Sequence, residues 1–462
     1  MKPSRWHSSA ILFILVGLYI AQYLGQRHWR LRSESPVLCS TLRSKTQCSV
    51  IGGSTIMYGY VKTIHRHSPP HDLEDWHRLL SAGSLIPSSG IVAFMRIFYA
   101  SDTTPNAALD SNVWRNNLYL PLVDLGHDVV EFDYDLSETF RHTDTHDPKQ
   151  AAFIAENRPR VTAELLRQVK AAHADKPVDL LFTYFYDACV LPEAIEAIKM
   201  LGIMTVNWYC NGSYQLHLVQ EISPRYDWCL VPEKFRLKDY EAMGARPLYC
   251  QEAANPDIYQ PFDLPKSYEV TFVGQAYGER PAYVRALLDS GIDVRVWGPG
   301  WQRLGPVSLP HQAIRWGRRL LRGGGGVAPV SLPTAILGAP LSDTALVQMY
   351  SQAKINLGFS TCGETHLDDT RIVQVRLRDF EVPMSGGFYL VEYMEELEEF
   401  YEIGTEIACY DSPDDLVAKI KYFLVHDAER EEIARAGRTR CLRNHTWQKR
   451  FQTAFQQMGL AE

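Results

Sequence analysis

A chain of 462 residues that is 46% hydrophobic, 11% aromatic and 22% charged has apolar material for two large cores and excludes a globally disordered protein. The formal net charge of -7 excludes a general nucleic-acid binder, because covering a phosphate backbone takes concentrated Lys and Arg, so any phosphate must be met locally. Nine scattered cysteines, odd in number and without a Cys-x-x-Cys, exclude a complete disulfide framework and read as reduced thiols in a cytoplasmic body.

Residues 1–90 differ from the rest. Ala10 to Ala21 is an uncharged apolar run, extendable to Leu24, with Lys2 and Arg5 before it and Arg27, Arg30 and Arg32 after it. It is shorter than the roughly 20 apolar residues that span a bilayer and closer to a signal-peptide core. Ser33 to Gly90 is rich in Ser, His, Pro and Arg, lacks a sustained period, and reads as loop or disorder. Two readings stay open. One is a signal-anchor giving membrane contact through residues 10–24; the other is a working start at Met95, where Met95-Arg96-Ile97-Phe98-Tyr99-Ala100 opens the first strand.

From Ile91 strands and helices alternate. Ile91 to Ala100 predicts a strand buried on both faces, followed by a helix through Asn117, Leu118, Leu122 and Leu125 that stops at Gly126. Strands are predicted at Val129 to Phe132, Val178 to Tyr184, Met204 to Trp208, Trp228 to Val231 and Leu248 to Gln251. Helices fall at about Ala151 to His173 and Leu191 to Leu201. Such repeats imply a parallel, doubly wound sheet over residues 91–254. Residues 255–266 carry three prolines without a period and read as a linker.

Residues 267–445 predict a second sheet from Tyr268 to Val273, Asp293 to Trp297, Lys354 to Gly358, Phe388 to Val391 and Ile407 to Tyr410. Trp301 to Leu341 reads as an insertion; its Gly323 to Gly326 run lacks the Gly-Lys-Ser/Thr of a phosphate loop and reads as a surface loop. Ser412 and Pro413 cap a helix, a second helix runs from Asp427 to Gly437, and residues 446–462 form a last helix.

The stretch from Arg371 to Tyr410 organises this half. Ile372, Val375, Arg376 and Asp379 or Phe380 fall at helical spacing, Pro383 weakens the last turn, and Gly386-Gly387 ends the helix before a strand. Arg378-Asp379-Phe380-Glu381-Val382-Pro383 with Gly386-Gly387-Phe388 resembles the glycosyltransferase group 1 domain, in its branch similar to the CgeB spore-maturation proteins. Further blocks carry the resemblance in order: Val270 to Gly274 with Arg280, Val294 to Trp301, Ala353 to Phe359, and a tail with Glu429-Arg430, Ala436-Gly437 and His445-Thr446-Trp447.

The resemblance implies the GT-B fold: two Rossmann-like doubly wound sheets facing a cleft, with a nucleotide-sugar held by the second domain and the acceptor by the first. It implies a metal-independent, retaining hexosyltransferase whose UDP- or GDP-linked donor is a substrate, so that no cofactor is needed, and whose acceptor is a carbohydrate, protein or lipid. Glu381 matches the family's ribose-binding glutamate. Its companion seven residues earlier would fall at Val373, so that part of the pattern is absent. Arg280 and Arg378 suit a diphosphate clamp, Gly274 a close backbone approach, Trp297-Gly298 the base, and Gly386-Gly387 the turn beside the ligand; the last helix is implied to cross back to the first domain. In the acceptor half, Asp102 and Asp187 stand at cleft-facing strand ends as candidate catalytic bases, against capping or turn roles. Asp368-Asp369 reads as a solvated loop, and no metal site is expected. Two alternatives stay open: a sugar-nucleotide epimerase or hydrolase, for which Glu364 and His366 are the nearby candidates, and a catalytically silent sugar-binding module.

Overall fold

Leu180-Leu181-Phe182-Thr183 is buried at every position, as a strand covered by helices on both faces must be. It is β3 of a sheet built from β1 (Arg96–Ala100), β2 (Asp128–Glu131), β3 (Leu180–Thr183), β4 (Met204–Trp208), β5 (Trp228–Val231) and β6 (Pro247–Tyr249). These lie in the order β2-β1-β3-β4-β5-β6 with every pairing parallel. A second sheet holds β7 (Tyr268–Val273), β8 (Val294–Trp297), β9 (Leu337–Gly338), β10 (Ala353–Gly358), β11 (Tyr389–Glu392) and β12 (Ala408–Tyr410). Its order is β12-β11-β10-β7-β8-β9, again parallel throughout. This computed structural model describes residues 94–102, 111–306, 330–363, 365 and 371–460, all within one compact unit.

Parallel strands need crossovers, and the helices Ala151–Asp175, Pro192–Lys199, Arg280–Asp289, Asp343–Gln352 and Arg378–Met384 supply several of them. The last helix, Trp447–Gln457, returns to the first half: Trp447, Phe451 and Phe455 are buried in its core, with Trp447 edge-on to Trp208 at 5.2 Å between ring centres. The chain thus passes between the halves twice, and the two passages touch: Ala254 pairs with Thr446 in a parallel bridge.

Several sequence expectations are corrected. Residues 371–377 are not helical: Val373 pairs with Thr361, and the helix covers only Arg378–Met384. The helix expected to stop at Gly437 runs on as Asp427–Asn444, because a side chain at Gly437 would place its Cβ 2.3 Å from the Glu406 carbonyl oxygen; the glycine is there for close packing, not termination. The residues read as an insertion contain β9 at the sheet edge. The apolar run at residues 10–24, the glycine run at 323–326, and Glu364, His366, Asp368 and Asp369 lie outside the described residues. Among the described residues, seven cysteines are buried and free, and no helix is long and apolar enough to cross a membrane.

Candidate active site

In open parallel sheets a ligand collects beyond the carboxyl ends of the strands, where the strand order reverses. In the second sheet that point lies between β7 and β10. The residues leaving β7, Val273 and Gly274, line a cavity of about 320 Å³ between the halves, opposite Trp114, Cys210, Asn211 and Glu252. Gly274 is tightly enclosed: the Trp301 indole N–H donates to its carbonyl at 2.7 Å, and a Cβ on it would lie 2.6 Å from Arg378 Nη2. Gly298, at φ 130°, comes closer still, since a Cβ there would meet the Gly274 carbonyl oxygen at 2.4 Å. This pair of backbone turns forms one wall only because neither residue has a side chain.

Arg376 and Arg378 line the same cavity. Arg376 donates through Nη2 to the Thr361 carbonyl at 2.6 Å, and Arg378 stands over the Phe272 ring with 5.1 Å from guanidinium carbon to ring centre. Arg280 adjoins them. Its guanidinium donates to the Gln275 carbonyl at 3.0 Å and the Tyr277 hydroxyl at 2.7 Å, and lies over the Tyr277 ring. Burial chiefly lowers the Arg280 pKa, and the charges of Arg376 and Arg378 add to that effect. The Nε of each of these three guanidiniums is buried without a hydrogen-bond partner. Buried cations are costly until an anion meets them, so this corner has the charge and the free donors to take an anion.

Glu381, on the next turn of the helix Arg378–Met384, provides the opposite polarity. Its carboxylate accepts from the Tyr259 hydroxyl at 2.5 Å and from the Tyr350 hydroxyl at 3.4 Å. Burial raises its pKa, while Tyr259 and the Arg378 charge act against the rise. Asp379 faces the other way: it accepts from the Arg376 backbone N–H and the Tyr389 hydroxyl, both at 2.8 Å, and holds the start of the helix.

The structure gathers four of the ten expected site residues around the main cavity: Gly274, Gly298, Arg378 and Glu381. The other six lie elsewhere. Arg280 lines a small neighbouring cavity with Tyr277 and Glu392. Trp297 packs edge-on to Tyr268, its ring so close to Gly338 that a Cβ there would lie 2.0 Å away. Gly386, at φ 73°, closes the helix against Pro261, and Gly387 sits against Asn356; both serve the turn rather than the cavity. Asp187 is turned inward, accepting the backbone N–H groups of Glu221 and Ile222 at 3.0–3.1 Å. Burial pushes its pKa up to about 6. Asp102 is half-buried beyond β1, its charge acting on Tyr99 and Cys189.

Sequence reasoning missed Arg376, Tyr259, Asn211 and Glu252. Arg376 was hidden inside a presumed helix, and Tyr259 inside a presumed linker. Asn211 and Glu252 follow the ends of β4 and β6, the same strand-end signal that singled out Asp102 and Asp187. Among the described residues no group of three or more His, Cys, Asp or Glu side chains is placed to hold a metal.

Residues 280–456 match the family model described as glycosyl transferase-like. No curated protein matches the chain. Among solved structures it is similar to sucrose-phosphate synthase from Thermosynechococcus elongatus, at TM-score 0.50 and 14% identity over 79% of this chain and 99% of that one. Two others are trehalose 6-phosphate synthase from Burkholderia multivorans (0.47, 13%, 79% and 97%) and the Anabaena protein Alr3699/HepE in complex with UDP-glucose (0.46, 12%, 79% and 99%). At such identities the likeness concerns the fold. With two parallel six-stranded sheets facing a cleft, that fold is GT-B. The chain carries a glycosyl transferase-like region within it, from residue 280 to 456.

Proposed function

We propose that the protein transfers a sugar from a UDP- or GDP-linked donor to the hydroxyl of a carbohydrate, protein or lipid acceptor. The observation that carries this reading is the convergence of Arg280, Arg376 and Arg378, each with an unpartnered Nε, beside a buried carboxylate at Glu381. A diphosphate answers the cations and a ribose diol answers the carboxylate, at the two ends of one ligand.

In the reaction the acceptor oxygen forms a bond to the anomeric carbon as the bond from that carbon to the diphosphate breaks. Negative charge develops on the departing phosphate, where Arg376 and Arg378 stabilise it without a metal, and the acceptor proton passes to the departing oxygen. Retention of anomeric configuration is supported by the resemblance to group 1 transferases. The test is calorimetric titration of UDP and GDP into the wild type and into Arg376→Ala, Arg378→Ala and Glu381→Ala, followed by mass spectrometry of products from a panel of nucleotide-sugars. Affinity should fall by roughly tenfold to a hundredfold in each variant, the cost of a charge-assisted bond. Equal affinity in all four proteins would sink the reading.

A further inference from the structure

The first-half wall of the cavity contains a carboxyl group that the donor does not need. Glu252 follows β6, lines the cavity beside Cys210 and Asn211, and is only 6% exposed, yet its Oε2 has no hydrogen-bond partner among the described residues. A buried oxygen in that state is costly unless something meets it. The geometry points to Glu252 as the group that receives the acceptor, through a hydrogen bond to a hydroxyl of a neutral, hydroxyl-rich molecule such as an unphosphorylated sugar.

The assignment to the acceptor rests on the donor reading given above, which puts the diphosphate at Arg376 and Arg378 and the ribose at Glu381. Glu252 belongs to neither. It is carried by the end of the first sheet, and its surroundings bear like charge: Glu233, Asp379 and Glu381 all act on it, with Arg376 the opposing cation. Burial chiefly, and these carboxylates in addition, raise its pKa well above the usual carboxylate range. A carboxyl that holds its proton more tightly than usual can donate to a hydroxyl as well as accept from one, whereas a phosphorylated acceptor would add a dianion beside acidic neighbours. Trp114, packed against Tyr184 and Trp208, lines the same wall and adds apolar surface to it.

The test uses the full chain saturated with UDP or GDP and follows binding of glucose, galactose, mannose and N-acetylglucosamine, and of their 6-phosphates, by saturation-transfer NMR. At least one neutral sugar should bind more tightly than its phosphate. Its affinity should drop at least tenfold in Glu252→Ala and return to within about threefold in Glu252→Gln, whose amide also donates and accepts. Affinity for the nucleoside diphosphate should stay within twofold in both variants, and neither should melt below the wild type, since an unpartnered oxygen is being removed. The inference is overturned if no neutral sugar binds, if a phosphate binds more tightly than its parent, if Glu252→Ala leaves sugar binding intact, or if it lowers the melting temperature and nucleotide affinity together. Glu252-dependent sugar binding in a protein that binds neither UDP nor GDP would sink the donor reading and, with it, the assignment of that sugar as acceptor, while leaving Glu252 as the contact to a neutral sugar.

Discussion

The Tyr259 hydroxyl donates to Glu381 Oε1 at 2.5 Å, joining the segment between the sheets to the carboxylate at the centre of the cavity. Asn117 Nδ2 donates to the same hydroxyl at 3.2 Å, and the Trp447 indole N–H donates to Asn117 Oδ1 at 3.0 Å. The orientation of Glu381 therefore depends on residues from the first half and from the last helix. Replacing Tyr259 by Phe removes a donor from a buried carboxylate, at a cost of about 1–3 kcal/mol. We expect a lower melting temperature together with weaker nucleotide binding, and calorimetry that finds neither would show Glu381 to be held by Tyr350 alone.

Arg280 and Arg378 should behave differently although both are arginines of one cluster. Arg378 faces the main cavity, while Arg280 is held by the Gln275 carbonyl and the Tyr277 hydroxyl. Arg378→Ala should lower nucleotide affinity more than thermal stability, and Arg280→Ala the reverse. Equal ratios of the two effects would show one shared role.

Gly298 should tolerate no side chain. At φ 130° an alanine is strained by roughly 1–3 kcal/mol, and its Cβ would also meet the Gly274 carbonyl oxygen at 2.4 Å. Gly298→Ala should displace the Gly274 turn and abolish measurable nucleotide binding, whereas Gly291→Ala, at φ 77° but with open space around it, should cost stability only. Intact nucleotide binding by Gly298→Ala would mean that this wall does not approach the ligand.

Glu233 gives the stability a defined pH dependence. It is buried, its Oε2 lacks a partner, and burial chiefly pushes its pKa from the ordinary 4.5 up to about 7. The folded form thus holds its proton more tightly than the unfolded form. The stability this gives is complete below the unfolded value of 4.5 and is lost as pH rises through about 7. Glu233→Gln, which cannot ionise, should gain in melting temperature relative to the wild type over that window. A difference between the two that stays flat from pH 4.5 to 7 would show that the group does not titrate there.

The two sheets were legible because strands such as β5 (Trp228-Cys229-Leu230-Val231) and β11 (Tyr389-Leu390-Val391-Glu392) are short, mainly apolar runs bounded by turns. β9, only two residues long, is too short to show a period. Residues 371–377 misled because apolar spacing cannot register the pairing of Val373 with Thr361, which draws the segment out. The strand-end rule found the right places but not the direction of a side chain. At Asp187 two backbone N–H groups turn the carboxylate inward, while Glu252, one residue past the expected end of its strand, reaches the cavity.

The bridge between Ala254 and Thr446 has a mechanical consequence. Two passages of chain clasped side by side form a seam, and any swing of one half toward the other is expected to turn about it, once the bonds from Asn112 and Asn116 to Asp343 and from Tyr249 and Gln251 to Glu396 let go. A protease nick anywhere in residues 255–266 should therefore leave both halves attached, held by the bridge and by the Trp447–Gln457 helix buried in the first core.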